Sequence, residues 1–153
     1  MSTPIIRLAT ETDLPAIVRL LADDFLGAGR EDVSEPLAEG YLRAFREILA
    51  SDATDVFVLE VDGRVVGTMQ LIDLPCLSDQ GTRRLGIEAV RVDSSLRSQG
   101  YGEHMIGWAI DTGRDRGCGL VQLSSNKQRT RAHSFYKRLG FKNSHEGFKL
   151  SLG

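Results

Sequence analysis

The residues whose types and spacing point to chemistry are Arg97-Ser98-Gln99-Gly100-Tyr101-Gly102, with an apolar helical pattern starting directly after them in EHMIGWAI. The first four N–H groups of a helix have no partner inside it, and with the helix dipole they form an anion site. Glycines at 100 and 102 let the backbone approach a bulky anion, since no Cβ intervenes. Arg97 adds a cation and Gln99 an amide donor, so the hexapeptide suits a phosphate or pyrophosphate. The dinucleotide fingerprint needs a third glycine where this chain has Met105, and no Gly-Lys-Ser/Thr is present for a nucleoside triphosphate loop. The alternative is that the two glycines only shape a strand-to-helix turn.

Other chemistry-bearing residues are sparse. His104, His133 and His145 share no metal-ligand spacing, and Cys76 and Cys118 form no C-x-x-C, so no metal site is expected and the thiols read as reduced. No serine elbow or Cys/His arrangement supplies a nucleophile. Glu88 lies in the β-like run Leu85 to Val92, where strict alternation puts Glu88, Val90 and Val92 on one face. An acid beside two valines suits either a general base or a rim carboxylate in an ion pair.

The elements that position these residues follow from periodicity. Ile5 to Leu8 reads as a strand, and Asp13 caps a helix with Pro15 in its first turn and Ile17, Leu20, Leu21 and Phe25 on one face. Gly27 to Glu35 is a polar loop, and Leu37, Tyr41, Phe45 and Ile48 mark a second helix. Val56 to Glu60 and Val65 to Ile72 flank Asp62-Gly63, a hairpin signal. Leu85 to Val92 is a further strand, the loop Asp93 to Gln99 follows, and the next helix runs to about Arg116. Leu120 to Leu123 is β-like, Thr130 caps a last helix carrying Ala132, Phe135, Tyr136 and Leu139, and Gly140 sits at its C′ position. Phe141 and Phe148 to Leu152 suggest terminal strands. The sum is an α/β (α+β) chain, one domain over 1–153, with a mixed sheet and helices on its faces.

The net charge of -2 and sequence pI of 5.9 argue against a general nucleic-acid binder. No run is apolar enough for a membrane span, and the start shows no basic-then-apolar leader, so a cytoplasmic location is expected.

In this context VRVDSSLRSQGYGEHMI resembles the acetyl-CoA motif of the GNAT superfamily of N-acetyltransferases, Arg/Gln-x-x-Gly-x-Gly/Ala between a strand and a long helix. Asn126 and Ala132-His133-Ser134-Phe135-Tyr136-Lys137-Arg138-Leu139-Gly140-Phe141 resemble that family's A-x-x-F-Y-x-x-x-G-F element, one helix and one strand downstream. The resemblance implies a mostly antiparallel sheet of six or seven strands with a V-shaped splay between central strands. It implies acetyl-CoA as co-substrate, its pyrophosphate on N–H groups from Arg97 to Gly102 and its pantetheine arm against the backbone of Val90 and Val92. By the same resemblance Asn126 meets that arm and Phe135 packs beside it.

Acetyl transfer to an amine needs a neutral amine, a donor for the developing oxyanion and a proton for the departing thiolate. The resemblance implies direct attack without an acyl-enzyme, Tyr136 as the acid and Glu88 as the base, directly or through water. The acceptor expected is a primary amine of a small molecule or peptide, and the early helices with Asp23, Asp24, Glu31, Asp32, Glu35 and Glu39 would wall its site. Arg83 and Arg84, before the central strand, would instead meet a carboxylate or phosphate on the acceptor. A homodimer is expected through the alternating Phe148, Leu150 and Leu152, unless these close the chain's own sheet. The alternative function is a catalytically silent acyl-CoA-binding sensor.

Overall fold

Asp62 and Gly63 take positive φ of 53° and 75°, the backbone that a tight two-residue hairpin requires. They join β2 (Thr54–Val61) to β3 (Arg64–Leu74), the antiparallel centre of the sheet. β1 (Ile5–Leu8) pairs with β2, and β4 (Arg84–Val92) with β3, both antiparallel. β5 (Leu120–Leu123) lies beside β4 as the one parallel neighbour, completing the order β1-β2-β3-β4-β5. This computed structural model describes residues 3–153.

Helices cover both faces. α1 (Leu14–Ala22) and α2 (Glu39–Ala50) present apolar stripes to one face, where Leu14, Ile17 and Phe45 bury Val58 together with Ala9. α3 (Tyr101–Asp115) lies on the other. There Phe57 meets Trp108 edge-on at 4.8 Å, and a Cβ on Gly67 would stand 2.9 Å from Met105 Sδ. A Cβ there would have to push the Met105 side chain aside, so glycine eases the close packing of α3 on β3. Among the described residues no helix is long and apolar enough to cross a membrane.

The chain divides into two compact units, one ending at Gln122 and one running Leu123–Gly153. The second holds α4 (Thr130–Arg138), which ends as expected at Gly140. There the N–H of Gly140 donates to Lys137 O at 3.0 Å and that of Phe141 to Tyr136 O at 3.0 Å, with Gly140 at φ 99°.

Three expectations need correction. Among the described residues the sheet has five strands, not six or seven, because residues 141–153 form no strand. Phe148, Leu150 and Leu152 alternate but stand 90%, 85% and 95% exposed. Small polar residues just before them close local bonds instead: Ser144 N–H to Lys142 O at 3.0 Å and Ser144 Oγ with His145 Nδ1 at 2.6 Å. Phe25 lies beyond the end of α1 and is 65% exposed, since Asp24 Oδ1 draws the N–H groups of Leu26 and Gly27 into a turn. Thr130 is the first residue of α4, and Arg129 takes the cap position.

Candidate active site

β4 carries a bulge. Glu88 pairs with Gln70 and Arg91 with Thr68, so two β4 residues, Ala89 and Val90, face Met69 alone. Ala89 takes φ 53°, a left-handed conformation costly for a residue with a Cβ. The extra residue reverses the alternation expected from the sequence. Glu88 shares the α1/α2 face with Gln70, Thr68 and Arg91, whereas Val92, opposite Gly67, lies on the α3 face with Ile87. Glu88 is exposed, and no hydrogen bond or ion pair holds its carboxylate among the described residues. Val90 is half-buried, and its carbonyl accepts the Arg91 guanidinium at 2.9 Å.

The strand leads into a turn built by Asp93. Its carboxylate accepts the Ser95 N–H at 2.9 Å and the Ser95 hydroxyl at 2.7 Å, which hold the acid below the usual carboxylate range. A short 3₁₀ turn, Ser94–Leu96, follows, and then Ser98 and Gly100 take positive φ of 66° and 86° before α3 begins. His104 N–H is the first to find a helical acceptor, Gly100 O at 3.0 Å. Among the described residues the N–H groups from Gln99 to Glu103 have no backbone acceptor. A row of free donors thus ends a 15-residue helix behind an αL glycine, the arrangement that binds phosphate groups. A Cβ on Gly100 would meet nothing within 4 Å, so its φ, not crowding, is what asks for glycine there. Of the residues expected to bind, Gln99, Gly100, Tyr101 and Gly102 lie in this row, and Ser98 directly precedes it.

The Arg97 side chain is placed by Asp23, which the sequence assigns to an acidic wall rather than to this loop. Arg97 Nη2 donates to the Asp23 carbonyl at 3.0 Å, and the Asp23 carboxylate accepts the Ser94 N–H at 3.0 Å. The end of α1 is therefore tied to the phosphate-type loop. Arg91 adds a second tie, with Nε 3.7 Å from Asp24 Oδ2.

The acidic wall expected along the early helices is largely occupied by the chain itself. Asp23 and Asp24 hold backbone and arginine as above. Glu31 meets Arg30 at 3.1 Å and accepts the Tyr41 hydroxyl at 3.0 Å, and Asp32 accepts the N–H and hydroxyl of Ser34 at 2.9 and 2.6 Å. Those Ser34 bonds keep the Asp32 carboxyl below its ordinary range. Arg84, offered as the opposite charge, hydrogen-bonds Ser78 at 2.9 Å and Asp79 at 3.2 Å.

Asn126, Phe135 and Tyr136 belong to the second unit. Asn126 Oδ1 accepts the Gln128 N–H at 2.9 Å, and its carbonyl contacts His133 Nε2 at 2.8 Å. Phe135 and Tyr136 meet edge-on at 5.2 Å, Tyr136 and Phe141 at 5.8 Å, and the Arg138 guanidinium stacks 5.5 Å over Phe135.

The acetyltransferase (GNAT) family pattern matches residues 14–141. The chain is 31% identical over 150 residues to the glucosamine 6-phosphate N-acetyltransferase of Trypanosoma brucei brucei, covering 96% of this chain and 95% of that one. Among solved structures, one described as a transcriptional regulator from Bacillus halodurans C-125 is 44% identical with a TM-score of 0.94, covering 98% of this chain and 100% of that one. A Trypanosoma brucei acetyltransferase is 27% identical with a TM-score of 0.77, covering 98% and 100%.

Proposed function

This chain belongs to the acetyltransferase (GNAT) family, and on that premise we propose that it is an N-acetyltransferase that moves the acetyl group of acetyl-CoA to a primary amine. The observation that carries this reading is the row of unpartnered N–H groups from Gln99 to Glu103 behind αL Gly100. These donors fit the pyrophosphate of CoA, and Arg97, held by Asp23, adds positive charge at their edge. Acetyl-CoA supplies an activated thioester. The backbone of Val90 and Val92 lines the pantetheine arm in this reading, with Asn126 and Phe135 as further contacts by their match to the family motif.

Glu88 is the base that takes a proton from the amine, directly or through water. Its exposure and its lack of an ion-pair partner among the described residues support that role. The amine nitrogen forms the new C–N bond, the C–S bond breaks, and Tyr136 gives the departing sulfur its proton. Support for Tyr136 comes from its place in the A-x-x-F-Y pattern. The whole of 1–153 acts as one acetyltransferase domain, in keeping with a family match that runs through both compact units. Acceptors are small-molecule or peptide amines, and the name of the trypanosomal relative, a glucosamine 6-phosphate N-acetyltransferase, supports the small-molecule class.

Acetyl-CoA labelled in its acetyl carbons tests the route. Incubated with an amine panel, the label is expected in a protein-dependent amide, with none retained on the protein under single turnover. Label trapped on a side chain, and released only when amine is added, contradicts direct attack.

A further inference from the structure

Resting on the transferase reading, we infer that the acceptor carries a compact apolar group and that an apolar pocket between α1, α2 and the bulge of β4 receives it. The pocket has a volume of about 130 Å³. That is on the order of the cavity that accepts one benzene ring. Ile17 and Leu21 of α1, Ala44 and Ile48 of α2, and Ala89 of β4 line it, together with other apolar residues.

Its lining contains no Arg, Lys, His, Asp or Glu. The three polar side chains that reach it have polar atoms engaged elsewhere. The Tyr41 hydroxyl donates to Glu31 at 3.0 Å and accepts the Asp32 N–H at 2.9 Å. Gln70 Nε2 donates to Thr54 Oγ1 at 2.9 Å, and Thr68 Oγ1 donates to Phe57 O at 3.0 Å. What remains for a ligand is aliphatic and ring surface, with the Gln70 Oε1 a side-chain acceptor not engaged among the described residues. A phosphorylated sugar has no cation to meet in this pocket.

The pocket lies on the face of the sheet that carries Glu88. Gln70, the cross-strand partner of Glu88, and Ala89, its chain neighbour, both line the cavity. An amine whose apolar group fills the pocket therefore presents its nitrogen beside the candidate base. The carboxylate also attracts an ammonium group before deprotonation.

The test follows kcat/KM for straight-chain primary amines from methylamine to hexylamine, with benzylamine and glucosamine 6-phosphate, at fixed acetyl-CoA. Expected is a rise of about fourfold per methylene until the cavity is full, from the transfer free energy of a buried CH₂. A flat or falling series, with glucosamine 6-phosphate preferred, overturns the inference. In Ala44→Phe, at an exposed position of α2, the added ring fills the cavity, and the pentylamine-to-methylamine ratio should fall to about one. Ile48→Ala should move the optimum to a longer chain. A donor series from acetyl- to octanoyl-CoA with methylamine completes the set. If Ala44→Phe alters donor-length preference and leaves the amine series unchanged, the cavity holds the acyl chain and the inference fails.

Calorimetry of benzylamine added to the CoA-saturated protein separates the two readings. Saturable binding, lost in Ala44→Phe, without turnover of any amine supports the pocket and contradicts transfer. Turnover of polar acceptors without benzylamine binding contradicts the pocket and keeps transfer. Neither binding nor turnover overturns both.

Discussion

Glu88 and Val92 leave the same strand on opposite faces of the sheet, Glu88 across from Gln70 and Val92 across from Gly67. The inversion comes from one extra residue at Ala89–Val90. It points a carboxylate toward the side of α1 and α2 while keeping apolar residues under α3. A strand without the bulge would put both on one side, and the acid would share a face with Val92.

Glu88→Gln keeps the shape of the side chain and removes its basicity. The expected result is a fall in kcat/KM on the order of 10²-fold, in the range of general base catalysis, with the acetyl-CoA Kd unchanged. Full turnover in this variant would remove Glu88 from the mechanism.

Tyr136→Phe preserves the edge contacts to Phe135 and Phe141, so α4 should keep its packing. Loss of the hydroxyl should lower kcat on the order of 10²-fold without weakening acetyl-CoA binding. Unaltered kcat would assign the ring to packing alone.

Gly100 holds φ 86°, and nothing lies within 4 Å of where a Cβ would be. Gly100→Val should cost on the order of 1–2 kcal/mol of folding stability from backbone conformation alone. Turning the donor row away should weaken acetyl-CoA binding roughly tenfold or more, the worth of a charge-assisted hydrogen bond. Gly100→Asn, which tolerates the left-handed region, should retain most of both. Equal acetyl-CoA affinity in Gly100→Val and the parent would mean that the loop is only a turn.

Asp13 anchors the start of α1 by accepting two bonds from Arg7, at 2.8 and 3.0 Å, and one from the Thr10 N–H at 2.7 Å. The Arg7 guanidinium, followed by the Thr10 bonds, holds the carboxyl below its ordinary range against the opposing effect of burial. Its folded pKa therefore lies below the unfolded value of about 3.9. The stabilisation is full above that value and is lost as pH falls through the depressed pKa. Asp13→Asn should cost about 1–3 kcal/mol at neutral pH. In denaturant titrations at decreasing pH, the gap between parent and variant should close in strong acid. A gap independent of pH would contradict this ionic anchor.

Much of this was legible in the residues. Asp62-Gly63 marks the hairpin, Gly140 marks the end of α4, and the 3.6-residue periodicities locate the helix interiors, because each is a local preference written in a few side chains, though Phe25 and Leu37 fall outside α1 and α2. The bulge was not, since Ala89 has no local reason to adopt φ 53° and does so only through β3–β4 pairing. The Asp23 bonds to Ser94 and Arg97 were equally hidden, because they join residues 71 and 74 positions apart. The acidic run reads as a field for cations, but Arg30, Tyr41, Ser34 and Arg91 engage its carboxylates. Terminal alternation at Phe148, Leu150 and Leu152 fits a strand, but alternation alone supplies no neighbour to pair with.

The most direct measurement is thiol release from acetyl-CoA by the purified protein, read over a panel of alkylamines, amino acids, polyamines, aminoglycosides and peptides. The account predicts release that depends on one class of primary amine and yields one acetylated product per thiol. No amine-dependent thiol from any class, in a protein that binds acetyl-CoA, would contradict it and leave a silent acyl-CoA sensor.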